Sequence, residues 1–443
     1  MTSMKLLFQH LVDHETKFRN SISLIPSENT LSPLARLAYL SDGYSRYFFD
    51  EHEVFGRWSF QGGSIVGRVQ QEVLIPLLQR VGQARYVDVR NVSGLTAMTT
   101  ALAAFGGEPG DAVLSVPVAN GGHPDTAYVA RKFGFRPLGL PFGHWATLDL
   151  EALADMVARE KPSLIYIDHA TSLIPLDLTA VVECVRQAAD RPVHIHVDTS
   201  HVNGLIWGGQ LPNPLACGAD SWGGSTHKTF PGPHKAVIFT NDAEVSDRLT
   251  MTAVNMVSHH HMSDVVALAI SLVEFLECGG AEYAAAVVTN ARLLAEALAA
   301  EGLGVQRHGA DFTRNHQVWV DTASHREPHA AGSQLFQAGL VVNPFNPLPS
   351  LGGPGIRLGL NEATYLGISP ESLPVLARVM RDVIVDDVDP AAAADPVREV
   401  RAAMRPRFCY PPEVFAEKLA DLVAVTGGKT DLAVEPLTDF LYS

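Results

Sequence analysis

The stretch Val193–Thr240, VHIHVDTSHVNGLIWGGQLPNPLACGADSWGGSTHKTFPGPHKAVIFT, contains three short apolar runs set between turn residues. Val193–Asp198 ends on an acid. The short run Asp220–Gly223 leads into Ser225-Thr226-His227-Lys228-Thr229, and Lys235–Thr240 follows Phe230-Pro231-Gly232-Pro233. Runs of this length, rich in β-branched residues and bounded by turn formers, read as strands. Two more, Ala112–Val118 and Leu164–Asp168, lie upstream, and from about Leu74 to Thr240 such runs alternate with helical patterns. That alternation predicts a mostly parallel sheet covered on both faces. Ligands of such sheets sit at the carboxyl ends of the strands, so chemistry is expected in the residues just after each run.

Outward from this core, Asp264–Glu301 is helix-forming apart from Gly279-Gly280, and a long linking helix there predicts a domain boundary near residue 285. The expected organisation is an N-terminal arm over 1–40, a large domain over 41–285 and a smaller α+β domain over 286–443. In the last, Gln317–Val320 and Gly339–Asn343 are strand-like, and helices are expected near Pro370–Asp386 and Pro396–Met404. Asp386–Asp395 reads as an acidic, alanine-rich connection.

Composition narrows the function. With 443 residues, 47% of them hydrophobic and 18% charged, the chain can bury a large core, and no apolar run approaches the ~20 residues of a membrane span. A formal charge of -15 repels phosphate backbones and speaks against nucleic acid as a partner, leaving small molecules as the expected substrates. The first residues look helical rather than like a signal peptide, and Cys184, Cys217, Cys278 and Cys409 form no CxxC pair, so a cytoplasmic protein with reduced thiols is expected.

Five features could carry chemistry. Asp198 closes an apolar strand where a buried carboxylate needs a cationic partner, such as a protonated pyridine nitrogen, although many strand-end acids simply cap turns. Lys228 stands between a strand and a Pro-Gly turn, where desolvation makes an amine nucleophilic towards an aldehyde; most lysines are only solvated. Ser93-Gly94-Leu95-Thr96 precedes a helical pattern and could hold a phosphate at a helix amino terminus, or be an ordinary N-cap. His123, after Gly121-Gly122, could stack on a flat ring. Arg357 lies between apolar residues and glycines in GIRLG, a setting for a carboxylate clamp or for a structural salt bridge. For His259-His260-His261 no ligand spacing suggests a metal, and none is expected.

Together these features resemble serine hydroxymethyltransferase and its relatives, from about Ser23 to Tyr410. VDTSHVNGL, PNP and STHKTFPGP match that family's VDxAHxAGL, PNP and TTTHKTxxGP blocks, LIPSEN matches LIASEN and GIRLG matches GIRxG. The resemblance implies the α/β fold type I of pyridoxal 5'-phosphate (PLP) enzymes, like aspartate aminotransferase, with a mostly parallel seven-stranded sheet and a smaller C-terminal domain. It implies that Lys228 carries PLP as a Schiff base and that Asp198 pairs with the pyridinium. His123 would stack on the ring, His201 would approach its phenolic oxygen, and Ser93 and Gly94 would bind phosphate. Thr226 and His227 would flank the lysine, while Ser27 and Arg357 would take the substrate carboxylate. At least a homodimer with shared sites is implied.

Departures from the family pattern suggest which chemistry is kept. Leu95 stands where a serine grips phosphate, Phe345 falls near the asparagine that serves folate, and Tyr365-Leu366 replaces an arginine pair. The glycine-rich loop that reaches the partner's phosphate becomes Ser258-His-His-His, making Ser258 the phosphate contact. The Tyr-x-Glu segment becomes YFFDEHEVFGRWSF, with Tyr47 and Glu53 as its catalytic equivalents. Keeping the PLP and carboxylate groups while losing the folate side resembles the threonine transaldolases, which also share a GxW motif like Gly56-Arg57-Trp58. These enzymes move a glycyl unit from threonine to another aldehyde. The alternatives are a divergent serine or α-methylserine hydroxymethyltransferase using tetrahydrofolate, another PLP enzyme such as a racemase or aminotransferase, and a protein that keeps the fold for binding alone.

Overall fold

The computed structural model describes residues 3–50, 55–57, 59–425 and 434–442. Its contacts divide the chain into two compact units, one of Asn29–Ala285 with Phe408–Ser443, the other of Met1–Glu28 with Ala286–Arg407. Both chain ends thus group differently from the sequence division. Ile22–Ser23 forms a parallel pair with Leu340–Val341, which gives the first residues to the second unit. Near the other end, the Tyr410 amide donates to Glu274 at 3.1 Å and Phe415 and Leu419 cluster with Leu34 and Leu37, which returns the last helices to the first.

The larger unit is built on seven strands: β1 (Tyr86–Asp88), β2 (Ala112–Ser115), β3 (Arg136–Gly139), β4 (Leu164–Ile167), β5 (His194–Asp198), β6 (Ser221–Ser225) and β7 (Ala236–Thr240). Their order is β1-β7-β6-β5-β4-β2-β3. Only β7 runs against the others, pairing antiparallel with both β6 and β1. All five sequence-read runs are strands. The two additions, β1 and β3, are the sheet's edges; β3 carries Pro137, which an edge strand tolerates and which hides it from a pattern search.

Strand alternation explains the odd composition of β5. Ile195 and Val197 point one way, and His194, His196 and Asp198 the other. The histidines are absorbed by neighbours: His194 stacks on Phe105 with ring centroids 3.6 Å apart, His196 on Tyr166 at 5.0 Å, and both rings meet the Ser221 hydroxyl at 2.8 Å. Burial pushes His196 down to about 4 and His194 well below its ordinary value, so both are neutral imidazoles at neutral pH. Trp222 and Tyr166 are fully buried, and fully burying large side chains of this kind stabilises the fold by roughly 1.5–3 kcal/mol each.

The linking region is two helices, Met262–Glu277 and Gly280–Ala300, broken at Gly279, whose φ of +87° suits glycine. In the smaller unit a four-stranded antiparallel sheet has the order Gly304–Val305, Gln317–Asp321, Gly353–Gly359, Asn343–Leu348. Its core includes Val318, Val320, Ile356 and Leu358, packed with Leu335, Leu376 and Met380.

Candidate active site

At the carboxyl ends of β4, β5 and β6 lies a cavity of about 220 Å³, lined by Ser93, Gly94, Leu95, His123, Asp168, His169, Asp198, Ser200, His201, His227 and Lys228 among others. The strands deliver the reactive groups. Asp198 is the last residue of β5, and its Oδ1 accepts from the Ser200 amide at 2.9 Å while Oδ2 accepts from the Tyr166 hydroxyl at 2.7 Å. Both oxygens are therefore fixed before any ligand arrives. Tyr166 is a pure donor here, because burial and the charges of Asp198 and Asp168 raise its phenol well above the ordinary range.

Lys228 follows β6 on the turn from Thr226 to Pro233. Thr226, fully buried, donates its hydroxyl to the Pro233 carbonyl at 2.8 Å, and Asn29 donates to the Lys228 carbonyl at 2.6 Å. The Gly223-Gly224 pair within β6 answers a steric demand. At Gly224, φ +150°, a Cβ would stand 2.3 Å from Ser200 Oγ and 2.8 Å from Asp198 Oδ1. The His227 ring stacks on His234 with centroids 3.9 Å apart, and burial, with His234 and Lys228 adding to it, pushes it down to about 3.

Opposite, Ser93 caps the helix Gly94–Phe105 in a reciprocal box with Thr96: the Ser93 hydroxyl accepts from the Thr96 amide at 3.1 Å, and Thr96 Oγ1 accepts from the Ser93 amide at 2.9 Å. The amino terminus of this helix faces the cavity, where its partial positive charge suits an anion. Leu95 also lines it, and its side chain offers no hydroxyl. On a third side, Gly121-Gly122 bends the chain so that a Cβ at Gly121 would fall 2.0 Å from the Thr171 carbonyl. His123 follows that bend, and its amide donates to Asp168 at 3.1 Å.

Asp168 and Tyr166 were not singled out from sequence. Asp168 accepts from the amides of His123 and Val116 and from the Thr126 hydroxyl, so it fixes the loop that presents His123. Burial above all pushes its carboxyl up to about 7, against the Thr126 hydrogen bond and with the charge of Asp198. A signal existed: Asp168 ends the run Leu164–Asp168, as Asp198 ends its own.

A single-ring phosphorylated aldehyde fits this set. An amine, an anchored acid, an imidazole and a helix amino terminus surround a cavity at the small end of ligand pockets. The model of the serine hydroxymethyltransferase family matches residues 4–380. The chain belongs to that family. It is 40% identical over 365 residues to an L-threonine:uridine-5'-aldehyde transaldolase from Amycolatopsis, covering 82% of this chain and 88% of the relative. It is 34% identical over 395 residues to a serine hydroxymethyltransferase from Aeropyrum pernix, covering 87% and 88%. The crystal structure of L-threonine transaldolase from Pseudomonas fluorescens in its internal aldimine state superposes with a TM-score of 0.85 at 26% identity, covering 96% of this chain and 99% of that one. The protein is thus a fold type I, PLP-dependent enzyme.

The remaining residues singled out through the serine hydroxymethyltransferase resemblance fall elsewhere. Ser27 and Arg357 belong to the smaller unit, where the turn before Ser27 packs on the end of the Arg357 strand: a Cβ at Gly359 would lie 2.3 Å from Pro26 Cα. Arg357, 5% exposed, donates to Asn343 Oδ1 from Nε at 3.1 Å and from a terminal nitrogen at 2.9 Å, and its guanidinium lies 4.1 Å over the Phe345 ring. Burial lowers it to about 10. Thr226 and Ser258 do not line the cavity; the first is spent on its own turn, and the second is exposed with φ +81°. Tyr47 stacks with His259, Phe60 and Phe49 at centroid distances of 4.1, 5.2 and 5.8 Å. Glu53 and Trp58 lie outside the described residues. Among the described residues no group of histidine, cysteine and acidic side chains could hold a metal, and no helix is long and apolar enough to cross a membrane.

Proposed function

We propose that this enzyme is a folate-independent L-threonine transaldolase, which cleaves the Cα–Cβ bond of L-threonine, releases acetaldehyde and joins the glycyl unit to an acceptor aldehyde. The product is a new β-hydroxy amino acid. When bound, PLP draws electrons from the donor's Cα through its protonated ring. Asp198, fixed by Tyr166 and Ser200, would hold the proton on the pyridine nitrogen. Lys228 would supply the amine that holds the cofactor. Ser93 and Gly94 would hold the phosphate at the helix amino terminus, and His123 and His201 would bind the ring. Arg357 and Ser27 bind the donor's carboxylate, the guanidinium offering a planar fork for it. Tyr47 and Glu53 are the groups assigned to proton transfer at the donor's hydroxyl.

The observation that carries this reading is the convergence of Lys228, Asp198, His123 and the Ser93 helix end on one cavity. The choice of transaldolase over hydroxymethyltransferase rests on Phe345, whose ring centroid lies 4.1 Å from the Arg357 guanidinium carbon near where a folate-serving amide is expected. Two relatives' names support it. The acceptor to try first is uridine-5'-aldehyde, the one in the Amycolatopsis relative's name. The enzyme acts in the cytoplasm as at least a homodimer, in keeping with its four free cysteines and with the family's shared sites. Purified protein given L-threonine without folate is expected to release acetaldehyde, and faster with an acceptor present. Absence of acetaldehyde together with folate-dependent consumption of serine would replace this reading with the hydroxymethyltransferase one.

A further inference from the structure

Three segments of the larger unit, residues 47–50, 88–91 and 258–260, meet at a guanidinium that no role above uses. Arg90 is fully buried. One terminal nitrogen donates to the Ser258 carbonyl at 2.5 Å; the other donates to the Phe49 carbonyl at 3.1 Å and to Asp50 Oδ2 at 3.3 Å. His260 closes the ring, its Nε2 lying 2.5 Å from the same Oδ2 and its backbone amide donating to the Phe48 carbonyl at 2.8 Å. The side-chain amides of Gln70 and Gln71 reach Asp50 Oδ1 at 2.8 and 3.3 Å.

Two observations indicate that this assembly does more than fill the core. Asp50 and Ser258 both adopt positive φ, +57° and +81°, a backbone that L residues keep only where the surroundings hold it, and Arg90 grips each of them. The Arg90 amide and the Asn91 side chain both donate to Asp88 Oδ1, at 3.1 and 3.0 Å, and Thr100 of the phosphate-facing helix donates to Asn91 Oδ1 at 2.9 Å. The arginine therefore sits on the segment that delivers Ser93 and Gly94 to the cavity. Burial opposes the charge on Asp50, but His260 and Arg90 outweigh it and hold the carboxyl below its usual range. Burial lowers His260 as well, so at neutral pH the pair is an ionised Asp50 against Arg90, with a neutral imidazole as donor.

We propose that Arg90, Asp50 and His260 are positioning residues that lock the two strained turns onto the 88–94 segment and thereby hold the phosphate-binding helix end in register for PLP. The proposal rests on the assignment of Ser93 and Gly94 to the phosphate. It is tested by titrating apoprotein with PLP and following absorbance, at a temperature where every variant is folded by circular dichroism. Arg90→Met is expected to weaken PLP binding about tenfold or more, a loss of charge-assisted hydrogen bonds. Arg90→Lys and His260→Gln, which are milder should Arg90→Met fail to fold, are expected to weaken it about threefold or more.

Arg186→Met removes the ion pair in which one guanidinium nitrogen meets both Asp220 oxygens at the opposite end of the sheet, and serves as the control for general destabilisation; its PLP affinity should be unchanged. Unchanged affinity in both Arg90→Lys and His260→Gln overturns the proposal, and so does an equal loss in Arg186→Met. If Ser93→Ala binds PLP like the parent, the phosphate assignment falls and the proposal with it. Failure of the transaldolase reading is seen separately, in the acetaldehyde assay, and leaves these titrations untouched.

Discussion

Asp198 and Tyr47 sit in two differently built regions of the larger unit. Asp198 leaves a central strand, has both oxygens satisfied by groups on fixed elements, and lines the cavity. Tyr47 lies in a segment without regular structure, half exposed, held by ring stacking and by backbone grips from a distant arginine. A sheet-borne group keeps its place because moving it breaks a ladder; a turn-borne group can be remodelled at little cost to the fold. The first region is thus suited to chemistry that must not change, while the second, on the proposed function, would meet the aldehyde.

The comparison predicts a gradient of effects. Lys228→Ala, at the centre of the fixed region, is expected to lower turnover by roughly 10⁴-fold or more and to abolish the borohydride-reducible cofactor adduct. A reducible adduct of unchanged yield would break the assignment. Asp198→Asn keeps the shape but not the charge, and a fall in kcat of about 10²-fold or more is expected, with the protein as stable as the parent to within about 1 kcal/mol. An undiminished kcat would move the ring-nitrogen contact elsewhere.

Asp168→Asn separates presentation of His123 from chemistry. In the folded protein the Asp168 carboxyl is raised from 3.8 to about 7, so the folded state binds a proton that the unfolded chain releases. Its contribution to stability is complete below about pH 4 and is lost as pH rises to about 7. Melting of apoprotein should therefore fall more steeply over that range in the parent than in Asp168→Asn; parallel curves would show that the carboxyl does not titrate there. The smallest effect is expected in the second region. Tyr47→Leu should slow acetaldehyde release from threonine about three- to tenfold, since Glu53 shares the proton transfer assigned to both, and should raise KM for the acceptor by a similar factor. Unchanged acetaldehyde release would remove Tyr47 from the proton transfer.

The same division explains what could be read from residues alone. Asp198, Lys228, His123 and Ser93 stand at element ends, where a polar residue interrupts an apolar pattern, and such breaks are visible in one dimension. Asp168 also ends an apolar run, but no second motif stands beside it in the sequence. Tyr166 was hidden in the middle of a strand; its importance comes from pairing with His196 across the sheet, which no local pattern records. Arg90 was hidden for a related reason, since its partners lie 40 and 168 residues away. The edge strands Tyr86–Asp88 and Arg136–Gly139 escaped because they are short and only partly buried.

Tyr166 also ties an electronic property to a mechanical one. It reaches Asp198 only because Leu164–Ile167 and His194–Asp198 are aligned with Tyr166 beside His196. Sliding either ribbon by one position would turn the phenol to the far side of the sheet. On the proposed pairing of Asp198 with the cofactor's ring nitrogen, the acidity of a vitamin-derived ring would depend on how two lengths of backbone are aligned side by side.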